Sequence, residues 1–384
     1  MTMFMLKAIF FLCGVALFYI YAGYPVLVSV LGIIRDKRVA KSAIEPAVSI
    51  LIAAYNEENI IGSTLKNKLE LDYPKDKLEI IVISDCSTDG TDGIVNGFAA
   101  SGIKLIRQEP RAGKTAGLNK AAGTASGEIL VFTDANSIFA VDALRKLVAN
   151  FKDRTVGYVT GKMVYASSGE GERGYGCGAY MRYENFLRVH ETRAGSVVGV
   201  NGGIDAVRKN LFDPMKPDQL PDLVLPLKVV EKGFRVVYEP DALLEEESLK
   251  SSSDEYRMRV RVSLRALWAL YDMKQLLGFG KDMIYAWQLW SHKVFRYGAF
   301  LFLIGLYTTN VALRSAGPLY KVSFVIQNAM YLGAIASALL TQIDINHKYL
   351  YLCKYFFLLN LASAHAFFKF LLGRKQVVWS PRKG

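Results

Sequence analysis

The spacing of apolar and polar residues changes along the chain and divides it into three regions. Met5 to Ile34 is an almost unbroken apolar run, long enough to cross a bilayer with some tilt. Three further apolar windows near the other end are candidate membrane spans, at 298–313, 322–340 and 349–372. Between 35 and 296 no window is comparable, and short apolar runs alternate with polar clusters. We therefore expect membrane helices at both ends of the chain and a folded domain between them.

Within the central region, four short apolar runs read as strands buried on both faces, separated by segments with helical spacing. The predicted strands are Val48 to Ala54, Leu78 to Ser84, Ile103 to Arg107 and Ile129 to Phe132. Polar residues cluster at the carboxyl end of these strands, and this alternation is typical of a Rossmann-like, mostly parallel α/β sheet that binds a nucleotide. We expect ligands to bind at this carboxyl edge.

The last of these strands ends in Thr133, Asp134, Ala135 and Asn136. A carboxylate and an amide two residues apart offer hard oxygen ligands, which suit Mg²⁺ or Mn²⁺ holding a diphosphate. The alternative is that Asp134 caps the following helix and Asn136 lies in a turn. The pattern alone leaves both interpretations open.

The distribution of charge and the cysteine content of the chain indicate its cellular compartment and its binding partners. The chain has 384 residues, 52% of them hydrophobic and 21% charged, with a formal net charge of +12. Arg35, Lys37, Arg38 and Lys41 follow the first apolar run and predict that this flank, and the central domain with it, is cytoplasmic. Basic residues cluster beside the membrane segments, so we expect anionic membrane lipids rather than nucleic acid as the partner. The four cysteines are scattered, which fits a reducing compartment.

Four motifs in order, AAYNEE, SDCSTDGT, GKTAGLN and FTDANS, resemble those of family 2 glycosyltransferases with the A-type nucleotide-sugar fold. The resemblance runs from about 48 to 300. With the flanking spans, it indicates the membrane-attached polysaccharide-synthesising branch of cellulose, hyaluronan and chitin-oligosaccharide synthases. It implies a multi-pass protein of the cell (inner) membrane. The implied segments are an N-terminal anchor at 1–34, a cytoplasmic glycosyltransferase domain at 35–250, amphipathic interfacial helices at 251–297, transmembrane helices at 298–372 and a basic tail at 373–384.

The resemblance also implies a donor site, with a nucleoside diphosphate sugar, expected to be a UDP-sugar, as the donor. Tyr55 and Glu57 would line the nucleotide pocket, Asp85 would lie near the nucleobase, and Lys114 would lie against the diphosphate. Asp134 and Asn136 stand where the family usually has D-x-D, so Asp134 would be the principal ligand of Mg²⁺ or Mn²⁺ and Asn136 a helper.

Transfer with inversion needs a carboxylate to deprotonate the acceptor hydroxyl. The best candidate is Asp222 in Leu220-Pro221-Asp222, which resembles the family's acidic motif at the start of a helix. The alternative is a structural helix N-cap after a loop proline, and Asp218 is the reserve candidate.

The acceptor side is expected to include residues from two segments. The first segment resembles the family's acceptor side and contributes Asn201, Gly202, Gly203 and Arg208. The second, from Glu255 onwards, has the spacing of a basic amphipathic helix lying in the membrane interface, or else of a helix packed on the domain. There Arg259 or Arg261 would bind pyrophosphate and Trp268 would support the acceptor, although the Q-x-x-R-W signature of processive members has no clean match.

These expectations describe a membrane-bound, metal-dependent, inverting glycosyltransferase that adds a sugar to a lipid-linked or growing saccharide in polysaccharide or glycolipid synthesis. Two alternatives remain, a processive synthase with translocation and a non-catalytic membrane scaffold that senses a nucleotide. Four spans would leave the basic C-terminal end on the same side as the N-terminus, in conflict with the positive-inside preference, so the number of crossings stays open.

Overall fold

The computed structural model describes residues 2–165, 173–246, 252–280, 282–340 and 347–377. Residues 378–384 of the predicted basic tail lie outside these ranges, as do residues 247–250 at the end of the predicted catalytic domain.

One mixed sheet of eight strands forms the centre of the domain, in the order β3-β2-β1-β4-β7-β6-β8-β5. The strands are β1 (Val48–Ala54), β2 (Leu78–Ser84), β3 (Lys104–Arg107), β4 (Ile129–Asp134), β5 (Ile138–Phe139), β6 (Val156–Tyr165), β7 (Asp205–Arg208) and β8 (Arg235–Glu246). The four predicted strands are all present and pair in parallel. The mostly parallel α/β sheet predicted from the sequence is thus confirmed, with β7 and β5 as antiparallel members.

The register brings the predicted donor residues to one edge. Ala54, the last residue of β1, pairs with Ser84 at the end of β2, and Ala53 pairs with Asp134 at the end of β4. Tyr55, Asp85 and Asp134 therefore occupy adjacent strand ends, where open α/β sheets bind ligands.

Helices cover both faces of the sheet, and every residue of β1 is buried. The helices of the domain are α3 (Ile61–Leu69), α4 (Thr91–Asn96), α5 (Lys114–Thr124), α6 (Ala143–Ala149), α7 (Arg173–Ala194) and α8 (Pro221–Glu231). One core cluster joins β1, β2 and β4 to α5 and α8, and the other lies on the opposite face with α3 and α6. This packing holds the amino ends of α5 and α8 next to the functional edge.

The remaining helices lie at the two ends of the chain. They are α1 (Thr2–Phe18), α2 (Tyr24–Arg35), α9 (Ser252–Asp272), α10 (Met283–Leu289), α11 (Phe295–Tyr297), α12 (Ala299–Leu313), α13 (Pro318–Leu340) and α14 (Lys348–Leu371). A π-helical turn at Tyr19–Gly23 joins α1 to α2, and a second one at Trp290–Val294 joins α10 to α11.

Two segments of the described chain are long and apolar enough to cross a membrane, Thr2–Arg35 and Pro318–Leu340. A third candidate is the pair Met283–Tyr297 and Ala299–Leu313, which is bent by 57°. The predicted span at 349–372 forms the helix α14 but is not among these candidates. Instead it packs Ala362 and Ala366 against Val260 and Leu264 of α9. The apolar face of α9 is therefore covered by α14, which corresponds to the packed-helix alternative for this segment.

Candidate active site

Asp85 organises the loop at the end of β2. Its carboxylate is 3% exposed and accepts hydrogen bonds from the backbone N–H groups of Ala112 (2.9 Å) and Gly113 (3.1 Å) and from Gln108 (2.5 Å). The Arg111 guanidinium lies 3.4 Å from the centre of the Tyr55 ring and pairs with Asp85 at 3.4 Å. A cation stacked on an aromatic ring at the sheet edge gives this side of the site a flat, positively charged wall. Glu57 is next to it, and its backbone N–H donates to the Thr91 hydroxyl at 2.8 Å.

Lys114 and Asp134 form the polar centre of the edge. Lys114 is the first residue of α5, and its ammonium lies 2.5 Å from the Asp134 carboxylate. Burial alone would lower the pKa of Lys114, but the carboxylates of Asp134, Asp222 and Asp205 outweigh it and raise the pKa above its usual value. Lys114 therefore carries a positive charge at the amino end of a helix, and this arrangement is suited to binding a diphosphate.

Asp222 lies in the first turn of α8, which begins at Pro221. A proline at the first helical position is favourable because its missing N–H would have no partner within the helix. Burial raises the pKa of Asp222 above the usual range, Lys114 lowers it and Asp134 raises it further. A carboxylate with a raised pKa is a stronger base, which suits proton abstraction.

Gly202 makes the close approach of Asp222 possible. Its φ of +86° lies in the left-handed region, and a Cβ on it would stand 2.5 Å from an Asp222 carboxylate oxygen. At the neighbouring Gly203 a Cβ would meet Leu244 at 2.5 Å. Both glycines therefore let the backbone of this segment pass directly beside the candidate base and β8.

Asp205 belongs to the same cluster, although the sequence analysis did not single it out. It pairs with Phe132 of β4, is 1% exposed, and lies beside Thr160 and the backbone of Gly202 without a hydrogen bond of good geometry to either. Burial, and next the nearby charge of Asp222, raise the pKa of Asp205 to about 7. The available signal was an aspartate inside the otherwise apolar run Ile204 to Val207.

Arg265 of α9 is a second residue that the sequence analysis did not assign to the site. It is buried and donates to the backbone carbonyl of Asp218 at 3.2 Å, to that of Gln219, and to the Thr115 hydroxyl at 3.0 Å. Arg265 thereby ties the loop before α8 to the first turn of α5, which fixes Asp222 relative to Lys114. The reserve base Asp218 forms an ion pair with Lys375 at 2.5 Å.

Among the predicted acceptor-side residues, Asn201 and Arg208 hold the sheet together. The Asn201 amide donates to the Gly161 carbonyl at 2.5 Å. The Arg208 guanidinium binds the backbone carbonyls of Val156 and Phe151 at 2.8 and 2.7 Å. Arg208 pairs with Ile129, five residues before Asp134 and therefore roughly 17 Å away along the strand. This position does not support a role for Arg208 in an acceptor site.

The three predicted residues of α9 have different surroundings. The Arg259 guanidinium donates to the Tyr355 hydroxyl of α14 at 2.8 Å. Arg261 faces the site closely enough for its charge to lower the pKa of Asp222. The indole N–H of Trp268 donates to the Arg374 carbonyl at 2.9 Å, and its ring packs on Phe370. Trp268 thus supports the C-terminal segment, and only Arg261 of the three is near the candidate base.

The residues at the carboxyl edge fit a divalent cation that is held mainly by its substrate. Within the described ranges, no group of three or more His, Cys, Asp or Glu side chains could hold a metal ion. Asp134 is 33% exposed, and Asn136 follows it in a turn closed by the Ser137 N–H and the Asp134 carbonyl. One carboxylate and one amide leave most positions of an octahedral ion to water and diphosphate oxygens, as is usual for Mg²⁺.

Comparison with known proteins identifies the domain. Residues 49–212 match the model of glycosyl transferase family 2. Over 172 residues, 44% of this chain and 37% of the relative, the sequence is 33% identical to the beta-monoglucosyldiacylglycerol synthase of Nostoc sp.. Over 203 residues, 51% of this chain and 48% of the relative, it is 30% identical to the poly-beta-1,6-N-acetyl-D-glucosamine synthase of Staphylococcus aureus. The matches thus span less than half the length of these curated relatives.

A solved structure is similar over nearly the whole chain. The mannosyltransferase PcManGT from Pyrobaculum calidifontis, determined in complex with GDP-Man and Mn²⁺, aligns with a TM-score of 0.74 and 24% identity. The alignment covers 96% of this chain and 99% of that one. At this identity the likeness establishes the fold, which is the A-type fold predicted from the sequence motifs. With the relatives that match the same region, the motifs at the strand ends lead to one conclusion: residues 49–212 form a glycosyl transferase family 2 domain.

Proposed function

We propose that the protein is a membrane-bound, inverting glycosyltransferase that moves a sugar from a nucleoside diphosphate donor to a hydroxyl of a lipid-linked or saccharide acceptor. The observation that carries this proposal is the position of Asp222. It is a buried carboxylate with a raised pKa in the first turn of α8, near enough to Lys114 and Asp134 for their charges to act on it. Inversion by direct displacement requires a base on one side of the sugar carbon and a stabilised leaving group on the other.

In this reaction each residue of the site has a separate role. Tyr55 and Arg111 form the wall against which the nucleotide lies, and Asp85 holds the Arg111 to Gly113 loop in place. Lys114 binds the diphosphate and balances the charge that develops as it leaves. Asp222 accepts the proton of the acceptor hydroxyl as that oxygen attacks the sugar carbon. Asp134, with Asn136, would hold Mg²⁺ or Mn²⁺, which neutralises diphosphate charge when bound.

The two curated relatives suggest two acceptor classes. One is named as a synthase of a glucosylated diacylglycerol and the other as a synthase of a polysaccharide. The candidate membrane spans favour an acceptor that is anchored in the membrane. We infer a cytoplasmic catalytic domain in a multi-pass protein of the cell membrane, because basic residues follow the first span. A UDP-sugar is the expected donor.

The proposal is tested by donor turnover with purified full-length protein in detergent. A panel of UDP- and GDP-sugars is incubated with membrane lipid extract and Mn²⁺ or Mg²⁺, and the released nucleoside diphosphate is measured. We expect one donor to be turned over, and Asp222→Asn to lower turnover by at least about 100-fold while donor binding persists. Asp213→Asn is the matched control, because Asp213 is half-exposed in the loop before α8 and pairs with Lys232.

Each other outcome supports a different conclusion. Full turnover by Asp222→Asn would remove Asp222 as the base and leave the transferase assignment intact. Metal-dependent donor binding without turnover of any donor would favour a non-catalytic nucleotide-sensing scaffold. Products of many sugar units from one acceptor would favour the processive synthase.

A further inference from the structure

A cavity of about 100 Å³ lies between α7 of the catalytic domain and the helices at the two ends of the chain. Its walls come from α7, from α9, from the segment around the second π-helical turn, and from α14. One side is aromatic and apolar and includes Tyr21, Phe356 and Leu359. Tyr21 belongs to the helical segment Thr2–Arg35, which is apolar enough to span a membrane. The cavity therefore borders a candidate membrane span.

The lining of the cavity also contains several cations. Arg259, Lys293 and Arg296 line it together with one carboxylate, Glu184. Burial alone would raise the pKa of Glu184, but Arg296 and His292 hold it well below its usual value, so Glu184 carries a charge. The lining thus has three cations and one anion.

Two of the three cations have a carboxylate partner. Arg296 lies 2.6 Å from Glu184, and Arg259 lies 3.5 Å from Glu255. For Lys293, no hydrogen bond or ion pair occurs within the described part of the chain. The carboxylates of Glu184 and Glu191 are near enough to interact electrostatically with Lys293, although neither forms a direct ion pair with it. An anion in the adjacent space would give the ammonium a direct partner.

The cavity is directly connected to the candidate base by one short backbone segment. Lys293 lies against Gly199, where a Cβ would come within 2.5 Å of the lysine nitrogen. Three residues later, Gly202 is in the same kind of contact with Asp222. Three residues of extended chain span at most about 10 Å. The Lys293 nitrogen and the Asp222 carboxylate therefore lie within roughly 20 Å of each other.

We propose that this cavity binds the phosphate of a membrane lipid, and that this lipid is the acceptor or its carrier. Arg259, Lys293 and Arg296 supply the donors that a phosphate oxygen requires, and the aromatic side of the cavity contacts the start of the lipid chain. The role as acceptor rests on the proposed transferase function. Binding of the lipid does not.

The test compares two lipids that differ only in the phosphate. Detergent-solubilised full-length protein is titrated with dioleoylphosphatidic acid and with dioleoylglycerol, and bound lipid is counted by native mass spectrometry. We expect dioleoylphosphatidic acid to bind at least ten times more tightly. Inorganic phosphate at millimolar concentration forms a third arm, because a cavity for a free anion would bind it without the lipid chains. Equal binding of the two lipids, or displacement of the lipid by phosphate at low millimolar concentration, would overturn the proposal.

Two variants locate the binding. Lys293→Met removes the cation without an ion pair in the described chain, and Ser363→Leu fills the cavity without removing a charge. Each is expected to weaken binding of dioleoylphosphatidic acid at least tenfold. Arg257→Gln is the matched control, since Arg257 lies on α9 with a 75% exposed side chain and reports only the general attraction of anionic lipid. An effect of Arg257→Gln as large as that of Lys293→Met would show that the surface charge, not the cavity, holds the lipid.

The assay contains no sugar donor, so it separates the two proposals. If no donor is ever turned over but phosphatidic acid binds through Lys293, the lipid site stands and the transferase reaction does not. If turnover is found but Lys293→Met binds the lipid as wild type does, the cavity is not the acceptor site.

Discussion

The close contact between Gly202 and Asp222 gives a sharp test of the catalytic arrangement, through the substitution Gly202→Ala. A Cβ at this position would lie 2.5 and 2.6 Å from two atoms of the Asp222 carboxylate. Separations this short do not occur between non-bonded atoms, so the carboxylate must move away from the backbone of residue 202. The substitution therefore displaces the candidate base without changing its chemistry.

The cost of the substitution has two parts that a second variant separates. A non-glycine residue in the left-handed region costs roughly 1–2 kcal/mol of stability, whatever surrounds it. Gly233 has a φ of +85°, almost equal to the +86° of Gly202, and a Cβ there would have no neighbour within 4 Å. Gly233→Ala thus carries the backbone cost alone, while Gly202→Ala adds the displacement of Asp222.

The assay combines thermal unfolding with donor turnover for both variants. General base catalysis contributes roughly 10²–10⁴-fold to rates, so we expect Gly202→Ala to lower kcat by about 100-fold or more. Gly233→Ala should lose a similar amount of stability and keep its kcat within about twofold of wild type. If Gly202→Ala retains the wild-type kcat while its protein remains folded, the packed position of Asp222 is not needed for the reaction, and the reasoning fails.

Four further predictions concern charged residues. Lys114→Met removes the cation at the diphosphate position, and we expect at least tenfold weaker donor binding by calorimetry; unchanged affinity would remove Lys114 from the donor site. Because the pKa of Asp205 is raised to about 7, folding favours its neutral form, and that contribution is lost as pH rises through 7. Asp205→Asn should therefore raise the Tm more at pH 8 than at pH 5, and an equal change would refute this. The pKa of Asp222 is also raised, so the acidic limb of kcat/KM should fall above pH 4, the usual range for aspartate; a limb below it would argue against Asp222 as the base. Arg265→Lys should cost about 1–3 kcal/mol of stability in chemical unfolding, with Arg257→Lys near zero as its control.

The sequence was sufficient to predict the parallel half of the sheet and the edge at which its polar residues meet. Val48 to Ala54 is apolar at every position except Ser49, and such near-continuous apolar runs are typical of strands buried on both faces. Because parallel strands align their carboxyl ends, the polar residues after them had to meet, and the structure brings Tyr55, Asp85 and Asp134 to adjacent ends. Local pattern and topology agree in this half, which is why the prediction held.

The surroundings of two arginines, which the sequence analysis did not predict, depend on contacts between distant segments. Arg208 and Arg265 are both basic residues beside candidate motifs, yet Arg208 binds carbonyls at the far edge of the sheet and Arg265 is buried next to the base loop. The position of Arg208 follows from the direction of β7, because this antiparallel strand carries Arg208 away from the carboxyl edge. The position of Arg265 follows from the packing of α9 between the domain and α14. Neither follows from spacing within one segment.

The backbone between Gly199 and Gly202 connects the two ends of the proposed reaction. At one end it lies against Lys293 of the membrane-side segment, and at the other it lies against Asp222 of the catalytic domain. A Cβ at either glycine would displace the side chain that it meets, so both glycines permit these close contacts. In the proposed reaction, this segment lies between the lipid phosphate and the proton acceptor.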